Sequence, residues 1–494
     1  MDNSNTTHLK REVLVRLIRA FIKQEIKELD KLPFEMRPKY ADVPYRCCIY
    51  KERAILRQRA ISGLGMSVEE DDEMTPISYY AEKALERETP DEKILTVVET
   101  ACKGCVPSRV YVTELCQGCV ARPCVNTCKF GAIQIINGKS VIDGEKCKNC
   151  GMCMQVCPYS AIVKLKVPCE DACPVGAIAK NEQGYAEIDF DKCISCGACV
   201  SSCPFAAVHE KSQVIDILKQ IKAGKKVVAM LAPAVVGQLP VSINKMATAL
   251  KICGFSDVKE VAQGADITTK TEAEDYIERM ERGDEFMTTS CCAAYNELVD
   301  KHIPEMKPFR SDTRTPMHYT AEIVKKEDPD AITVFVGPCV AKRKEGLLDE
   351  YTDYVMSIEE MGALFVAFNI EVADCADFEF PVESSKEARF FSVTGGVAES
   401  VKVALKDFPE FYPTCVNGLN PKAVRDLKSW AKKGACPEGN IVEVMVCEGG
   451  CVAGAACLNS KKITTKKVTE YSNQGKCIND LHPENPRKSE HNVS

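Results

Sequence analysis

Ile441-Val-Glu-Val-Met-Val-Cys447-Glu-Gly-Gly-Cys451-Val-Ala-Gly454 is the stretch on which the rest of the chain is organised. Its apolar, β-branched run delivers two cysteines four residues apart, a spacing that puts both thiols on one face if the chain turns helical after Cys447. Gly449, Gly450 and Gly454 lack a Cβ, which predicts close backbone approach to a bulky inorganic ligand and N–H groups offered to its sulfurs. A buried cysteine pair beside a glycine turn is the plainer alternative, because free cysteine packs as a small hydrophobe.

Two other stretches repeat the pattern of an apolar run ending in cysteine. They are Phe286-Met-Thr-Thr-Ser-Cys291-Cys292-Ala-Ala-Tyr295 and Thr333-Val-Phe-Val-Gly-Pro-Cys339-Val-Ala-Lys342-Arg-Lys-Glu345. Three strand-like segments, each handing over to a helix or loop at a cysteine, predict an α/β domain with its site where strands end. Four thiolates then converge, Cys292, Cys339, Cys447 and Cys451, which meets the four-cysteine requirement of a cubane iron–sulfur cluster.

The motifs TSCC, PCxAKxxE and ExMxCxGGC, in this order, resemble the three active-site signatures of the iron-only ([FeFe]) hydrogenases. The resemblance implies an H-cluster: a [4Fe-4S] cubane joined through Cys451 to a two-iron subsite carrying CO, cyanide and a dithiolate amine. By position it also implies that Cys291 hands protons to that subsite, that Lys342 hydrogen-bonds one of its cyanides and that Met445 packs over it. It further aligns Glu272, Asp275, Arg279 and Ser311 with the family's proton path, the first three at helical i, i+3 and i+7. Asp275 stands where glutamate is usual, so an extra water is expected there. A packed cysteine at 291, an exposed lysine in a KRKE run, a core methionine at 445 and a solvated charged helix face are the respective plain readings. Ala293-Ala-Tyr295, Gly337 and Gly454-Ala-Ala depart from the usual family residues and mark a divergent subgroup.

Composition agrees. The 494 residues, 45% hydrophobic, are enough for several domains, and the formal net charge of −7 gives no basic footprint for nucleic acid or a membrane surface. The N-terminus lacks a secretory pattern and no long uncharged apolar run occurs, so a cytoplasmic protein is expected. In that compartment 29 cysteines in CxxC spacings read as metal ligands rather than disulfides.

Residues 9–32 read as an amphipathic helix through Leu14, Leu17, Ile18, Phe21 and Ile22, packing on the body or serving a partner. Adjacent Cys47 and Cys48 read as packing residues, and 66–93 as a polar, solvated linker with a short helix, so 1–94 form a helical region and linker. Residues 95–209 are predicted to hold two ferredoxin-like (α+β) modules with four [4Fe-4S] clusters. Cys147, Cys150, Cys153 and Cys157, then Cys193, Cys196, Cys199 and Cys203, form two bacterial ferredoxin runs whose fourth cysteine crosses to a neighbouring cluster. The first run pairs with Cys116, Cys119, Cys124 and Cys128, giving the sets 116/119/124/157 and 128/147/150/153. The second is completed by distant Cys102 and Cys105 with Cys169 and Cys173, giving 102/105/169/203 and 173/193/196/199 if residues 114–165 are inserted within it. A structural Cys102/Cys105 pair and one absent cluster is the competing count.

From 210 to 458 an α/β H-cluster domain is expected: helices over Val214–Ile221 and Ile243–Ile252, a buried strand at Lys226–Pro233, and further strand signals at Val258–Asp266 and Arg389–Gly396. Residues 459–494 read as a poorly ordered polar tail. Cys253, Cys375, Cys415, Cys436, Cys457 and Cys477 are taken as structural. The implied function is reversible 2 H+ + 2 e− = H2, with clusters as a wire to ferredoxin or a similar small carrier and maturation proteins for the two-iron subsite. No adenine-nucleotide or flavin motif is evident. The alternative is a non-catalytic iron–sulfur scaffold, or an H2 or redox sensor, of the same fold.

Overall fold

The N-terminal amphipathic pattern folds as a helix over Asn5–Lys23 in the computed structural model, which describes residues 5–40, 44–102, 104–106, 108–406 and 410–483. Leu14, Leu17, Ile18 and Phe21 are buried, whereas Ile22 is exposed. The helix packs on Ile49–Gly63 and on Ile358–Ala367 from the C-terminal half. Ion pairs fasten that joint, Lys10 and Arg11 to Glu359 at 2.6 and 3.4 Å, and behind it fully buried Arg343 pairs with Glu360 at 2.5 Å. Charges this deep persist only when paired.

Residues 66–93 are not a solvated linker. The helix Ile77–Glu86 buries Ile77, Tyr80, Ala81 and Ala84; acidic side chains expected to face water are tied down as Arg57–Asp71 and Lys211–Asp91 pairs, and Arg87 pairs with Asp216. Cys47 is exposed, so packing does not describe it, whereas Cys48 is half-buried at the start of the Ile49–Gly63 helix.

Four antiparallel strand pairs follow. β1 (Leu95–Val97), β2 (Arg109–Val112), β3 (Ile133–Ile136), β4 (Lys139–Ile142), β5 (Ile162–Leu165), β6 (Ile178–Lys180), β7 (Ala186–Ile188) and β8 (Val208–Glu210) are joined β1 to β8, β2 to β5, β3 to β4 and β6 to β7. The β2–β5 pair lies within the sequence span closed by β1–β8, so one unit is nested in the other. The inner unit begins at Arg109, earlier than the expected residue 114. Asn137 and Gly138, at φ +51° and +79°, turn the β3–β4 hairpin as an Asn-Gly type I′ turn does. The inner unit has its own small core of Val110, Cys124, Ile133, Cys153 and Ile162.

Beyond residue 210 every strand pair is parallel. β9 (Val227–Leu231), β10 (Asp257–Glu260), β11 (Met287–Thr288), β12 (Ile332–Gly337), β13 (Tyr354–Ser357), β14 (Pro413–Asn417) and β15 (Ile441–Met445) form two sheets, ordered β10-β9-β12-β13 and β11-β15-β14. All five positions of β9 and of β15 are buried, as expected of parallel strands covered on both faces. The 21-residue helix Ala262–Arg282 crosses Pro316–Glu327 so closely that a Cβ on Gly264 would stand 2.2 Å from the Pro316 carbonyl oxygen.

Three expectations here need correction. The strand from Val258 stops at Glu260 and gives way to that helix. Arg389–Gly396 is no strand: Lys386–Phe390 is helical, and Gly395 enters the next helix at φ +91°. The expected disordered tail is in part a helix, Lys461–Ser472, burying Thr464, Val468, Tyr471 and Ser472, followed by buried Ile478; residues 484–494 lie outside the described residues. Among the described residues no helix is long and apolar enough to cross a membrane.

Candidate metal centre

The cysteines of the three C-terminal motifs stand just past the C-terminal ends of β11, β12 and β15, the edge where parallel sheets open crevices. Cys291, Cys339, Lys342, Met445 and Cys451 face one cavity of about 70 Å3, otherwise lined mainly by apolar side chains including Phe335 and Phe391. Cys292, Cys339, Cys447 and Cys451 lie within electrostatic reach of one another. Between Cys447 and Cys451 the chain makes a turn and is not helical. The glycines serve that turn differently from the sequence reading. Gly449 and Gly450 have φ +104° and +93°; a Cβ on Gly450 would meet the Ser392 carbonyl oxygen at 2.6 Å, and one on Gly454 that of Pro338 at 2.7 Å. They let backbone approach backbone.

The donors suit a cluster. Backbone N–H groups of Val446, Tyr295 and Ala294 are directed at the Cys292 sulfur, and that of Lys342 at Cys339. Burial raises the Cys291 and Cys447 thiols well above their ordinary value, so thiolates at this depth require compensating positive charge. Lys342 is buried, not exposed in its KRKE run. Burial opposes its charge, but Glu345, paired at 2.7 Å, and the neighbouring Cys339 and Cys451 hold its pKa above the ordinary value. Among the described residues no three His, Cys, Asp or Glu side chains could hold a single metal ion; a cubane is held differently, by thiolates spread around four irons.

Glu272, Asp275 and Arg279 share a face of the Ala262–Arg282 helix. Ser311 Oγ donates to Glu272 Oε2 at 3.1 Å, and the other carboxylate oxygen has no hydrogen-bond partner among the described residues. Burial, then the charge of Asp275, pushes Glu272 up to about 8, and Glu272 lies within electrostatic reach of Cys291. Arg279 pairs with Asp275 at 2.7 Å and reaches Asp312, 95% exposed, at 3.3 Å. The side chains thus run from the cavity wall to the surface.

The sixteen cysteines of residues 102–203 gather in fours. Cys116, Cys119, Cys124 and Cys157 line one small pocket, and Cys128, Cys147, Cys150 and Cys153 another. Cys169 has Cys203 and Cys102 as charged neighbours, as does Cys105, and Cys199 has Cys196, Cys193 and Cys173. Cys196 in turn neighbours Cys292 and Cys447. Three of the four cysteines expected to cross are capped by the residues that follow them: the amides of Ala132, Ala177 and Ala207 donate to Cys128, Cys173 and Cys203 at 3.4, 3.1 and 3.3 Å.

Residues 225–455 match the model of the iron-only hydrogenase large subunit, C-terminal domain, and residues 140–163 and 186–209 match the 4Fe-4S binding domain. The large subunit of a periplasmic [Fe] hydrogenase from Nitratidesulfovibrio vulgaris is 30% identical over 378 residues, 63% of this chain and 85% of that protein. This chain belongs to the iron-only hydrogenase family. Iron hydrogenase 1 of Clostridium pasteurianum is 27% identical over 321 residues, 52% of this chain and 56% of its own length. A solved [FeFe]-hydrogenase of Chlamydomonas reinhardtii aligns at TM-score 0.44 and 20% identity, covering 55% of this chain and 92% of that one.

Within this family member three further residues stand out that sequence reasoning missed. Glu443, the first residue of the ExMxC motif, is fully buried on β15 and accepts from the Gly395 and Ala398 amides at 2.7 and 2.9 Å, pinning the glycine turn beside Cys291. Lys180 donates to the Cys102 sulfur at 3.2 Å. Cys457, taken as structural, lies beside Cys451 and Cys339 and accepts from Gln238 at 3.3 Å. The motif glutamate was visible in the sequence; the others carry no local pattern.

Proposed function

We propose that the chain is an [FeFe] hydrogenase interconverting two protons and two electrons with H2, and that Cys292, Cys339, Cys447 and Cys451 hold its H-cluster. The observation that carries the reading is the cavity where Cys291, Lys342 and Met445 face Cys339 and Cys451. When bound there, the cluster supplies the redox iron at which protons and electrons combine. The chain's own residues do the rest. Lys342, a buried cation, offsets anionic ligands. Cys291 holds a proton at its sulfur on the cavity wall, and Glu272, whose pKa lies near neutrality, exchanges protons with it across the gap in front of its unpartnered oxygen. Ser311, Asp275, Arg279 and Asp312 carry the exchange to solvent. Phe335, Phe391 and Met445 keep bulk water from the cavity.

The four cysteine sets of residues 102–203 are assigned to four [4Fe-4S] clusters that pass single electrons from a ferredoxin-type carrier, with the 173/193/196/199 cluster as the last step before the H-cluster. Maturation proteins would supply the two-iron subsite. Infrared spectroscopy of the anaerobically matured chain tests the reading: metal-bound CO and CN stretches that shift under H2 support it. Silence beside a working control would leave the scaffold or sensor.

A further inference from the structure

Within residues 106–167 eight lysines and arginines face three carboxylates, although the whole chain carries a formal net charge of −7. The inner ferredoxin-like unit is therefore a basic island on an acidic protein. All eight cationic residues are exposed, and Arg122, Lys129 and Lys148 form no ion pair among the described residues. The same unit shows large apolar side chains to water, with Val120 97% exposed, Leu115 61% and Tyr159 51%.

The geometry orients these features. β2 and β5 pair Arg109 with Leu165 at the end where the chain enters and leaves the unit, and Val112 with Ile162 at the far end. Val110 and Asn149 bring the 128/147/150/153 pocket to the near end. The 116/119/124/157 pocket, lined by Tyr159 and by Pro123 next to Arg122, lies at the far end, with Leu115 and Val120 directly beside Cys116 and Cys119. Those side chains border the cysteine set farthest along the strands from the rest of the chain.

We propose that this outer end, around Leu115, Val120, Arg122 and Tyr159, is the docking face for a small acidic protein that carries one electron at a time. An apolar centre beside the unpaired Arg122, on a unit with eight cationic side chains against three carboxylates, suits such a partner: the positive unit steers the encounter and the apolar contact holds it. One electron leaves the reduced carrier and reduces the cluster of Cys116, Cys119, Cys124 and Cys157, with no bond made and no proton moved. The exposed aromatic pair Phe34 and Tyr50 is already covered by this chain's own Arg53. The inference rests on the hydrogenase reading only in needing an electron donor.

The test is stopped-flow reduction of the cluster-loaded full chain by a reduced, strongly acidic [4Fe-4S] ferredoxin, compared with dithionite. Val120→Asp and Arg122→Glu, both at exposed positions and checked for unchanged iron content, are expected to slow the ferredoxin reaction at least tenfold at low salt and to leave dithionite unchanged. The parent rate with ferredoxin should fall as salt is raised, because screening shortens from roughly 30 Å at 0.01 M to 3 Å at 1 M. Unchanged ferredoxin rates in both variants, or slowing by Arg53→Glu instead, would overturn the assignment. Because the readout is cluster reduction, a chain that makes no H2 can still support the docking face. A chain that makes H2 with dithionite yet ignores Val120→Asp refutes the face alone.

Discussion

Glu272 carries both a proton and a stability cost. Its folded pKa of about 8 exceeds the usual 4.5, because burial disfavours its charge, so between those values the native chain binds a proton that the unfolded chain has released. Stability is then lost as pH rises through that window. Glu272→Gln should therefore raise Tm relative to the parent at pH 8 and little at pH 5, while lowering H2 turnover by about 10²–10⁴-fold, the scale of a lost proton-transfer group. A melting curve at each pH and an activity assay check both; an unchanged turnover would remove Glu272 from the path. Lys180 offers a separate handle. Its cation at 3.2 Å from Cys102 favours the more negative, reduced state of a cluster held there. Lys180→Met should shift one midpoint potential negative by roughly 20–60 mV, given about 59 mV for each 1.4 kcal/mol in a one-electron couple. Redox titration followed by electron paramagnetic resonance would show it. The family resemblance named Glu272 together with Asp275 and Arg279, but Lys180 stood 78 residues from its partner and left no trace in the sequence.

Among the elements, those with apolar periodicity were legible and those with a mixed buried face were not. β12 and β15 are apolar runs ending in cysteine, and they fold as buried strands that deliver Cys339 and Cys447. Lys461–Ser472 turns inward Thr464, Val468, Tyr471 and Ser472, an i, i+4, i+7, i+8 face on which three of the four positions carry hydroxyls. Hydrophobic periodicity cannot register such a face, and the segment read as a tail. Its docking is specific: the Tyr471 hydroxyl bonds Glu260, Arg389 pairs with the same carboxylate at 3.0 Å and lies over the Tyr471 ring. Tyr471→Ala should cost about 3 kcal/mol, as large-to-small replacement of a buried aromatic does. At ~2–4 °C per kcal/mol for a domain of this size, Tm falls by roughly 6–12 °C. A change within 1 °C would return the segment to a tail. The linker over 66–93 was misread for a related reason, since Asp71 and Asp91 look solvated until Arg57 and Lys211 are seen beside them.

At the scale of the whole molecule, the cysteine sets have an order that spacing alone could not provide. The crossing rule grouped the ligands, but the sequence could not say which set faces the C-terminal site. Cys196 is the link, with Cys292 and Cys447 as its charged neighbours, while Cys199 looks the other way toward Cys169 of the 102/105/169/203 set. In the proposed wire, the 173/193/196/199 set is then the last before the C-terminal site. Cys193→Ala should remove about four irons per chain, one cubane's worth, and leave the CO and CN stretches of the matured protein in place. H2 evolution driven by reduced ferredoxin should fall at least tenfold, because the catalytic site is intact but disconnected. Full activity with four fewer irons would mean that electrons reach the site by another route. Full iron content would mean that Cys193 is no ligand, and the count of four accessory clusters would fall with it.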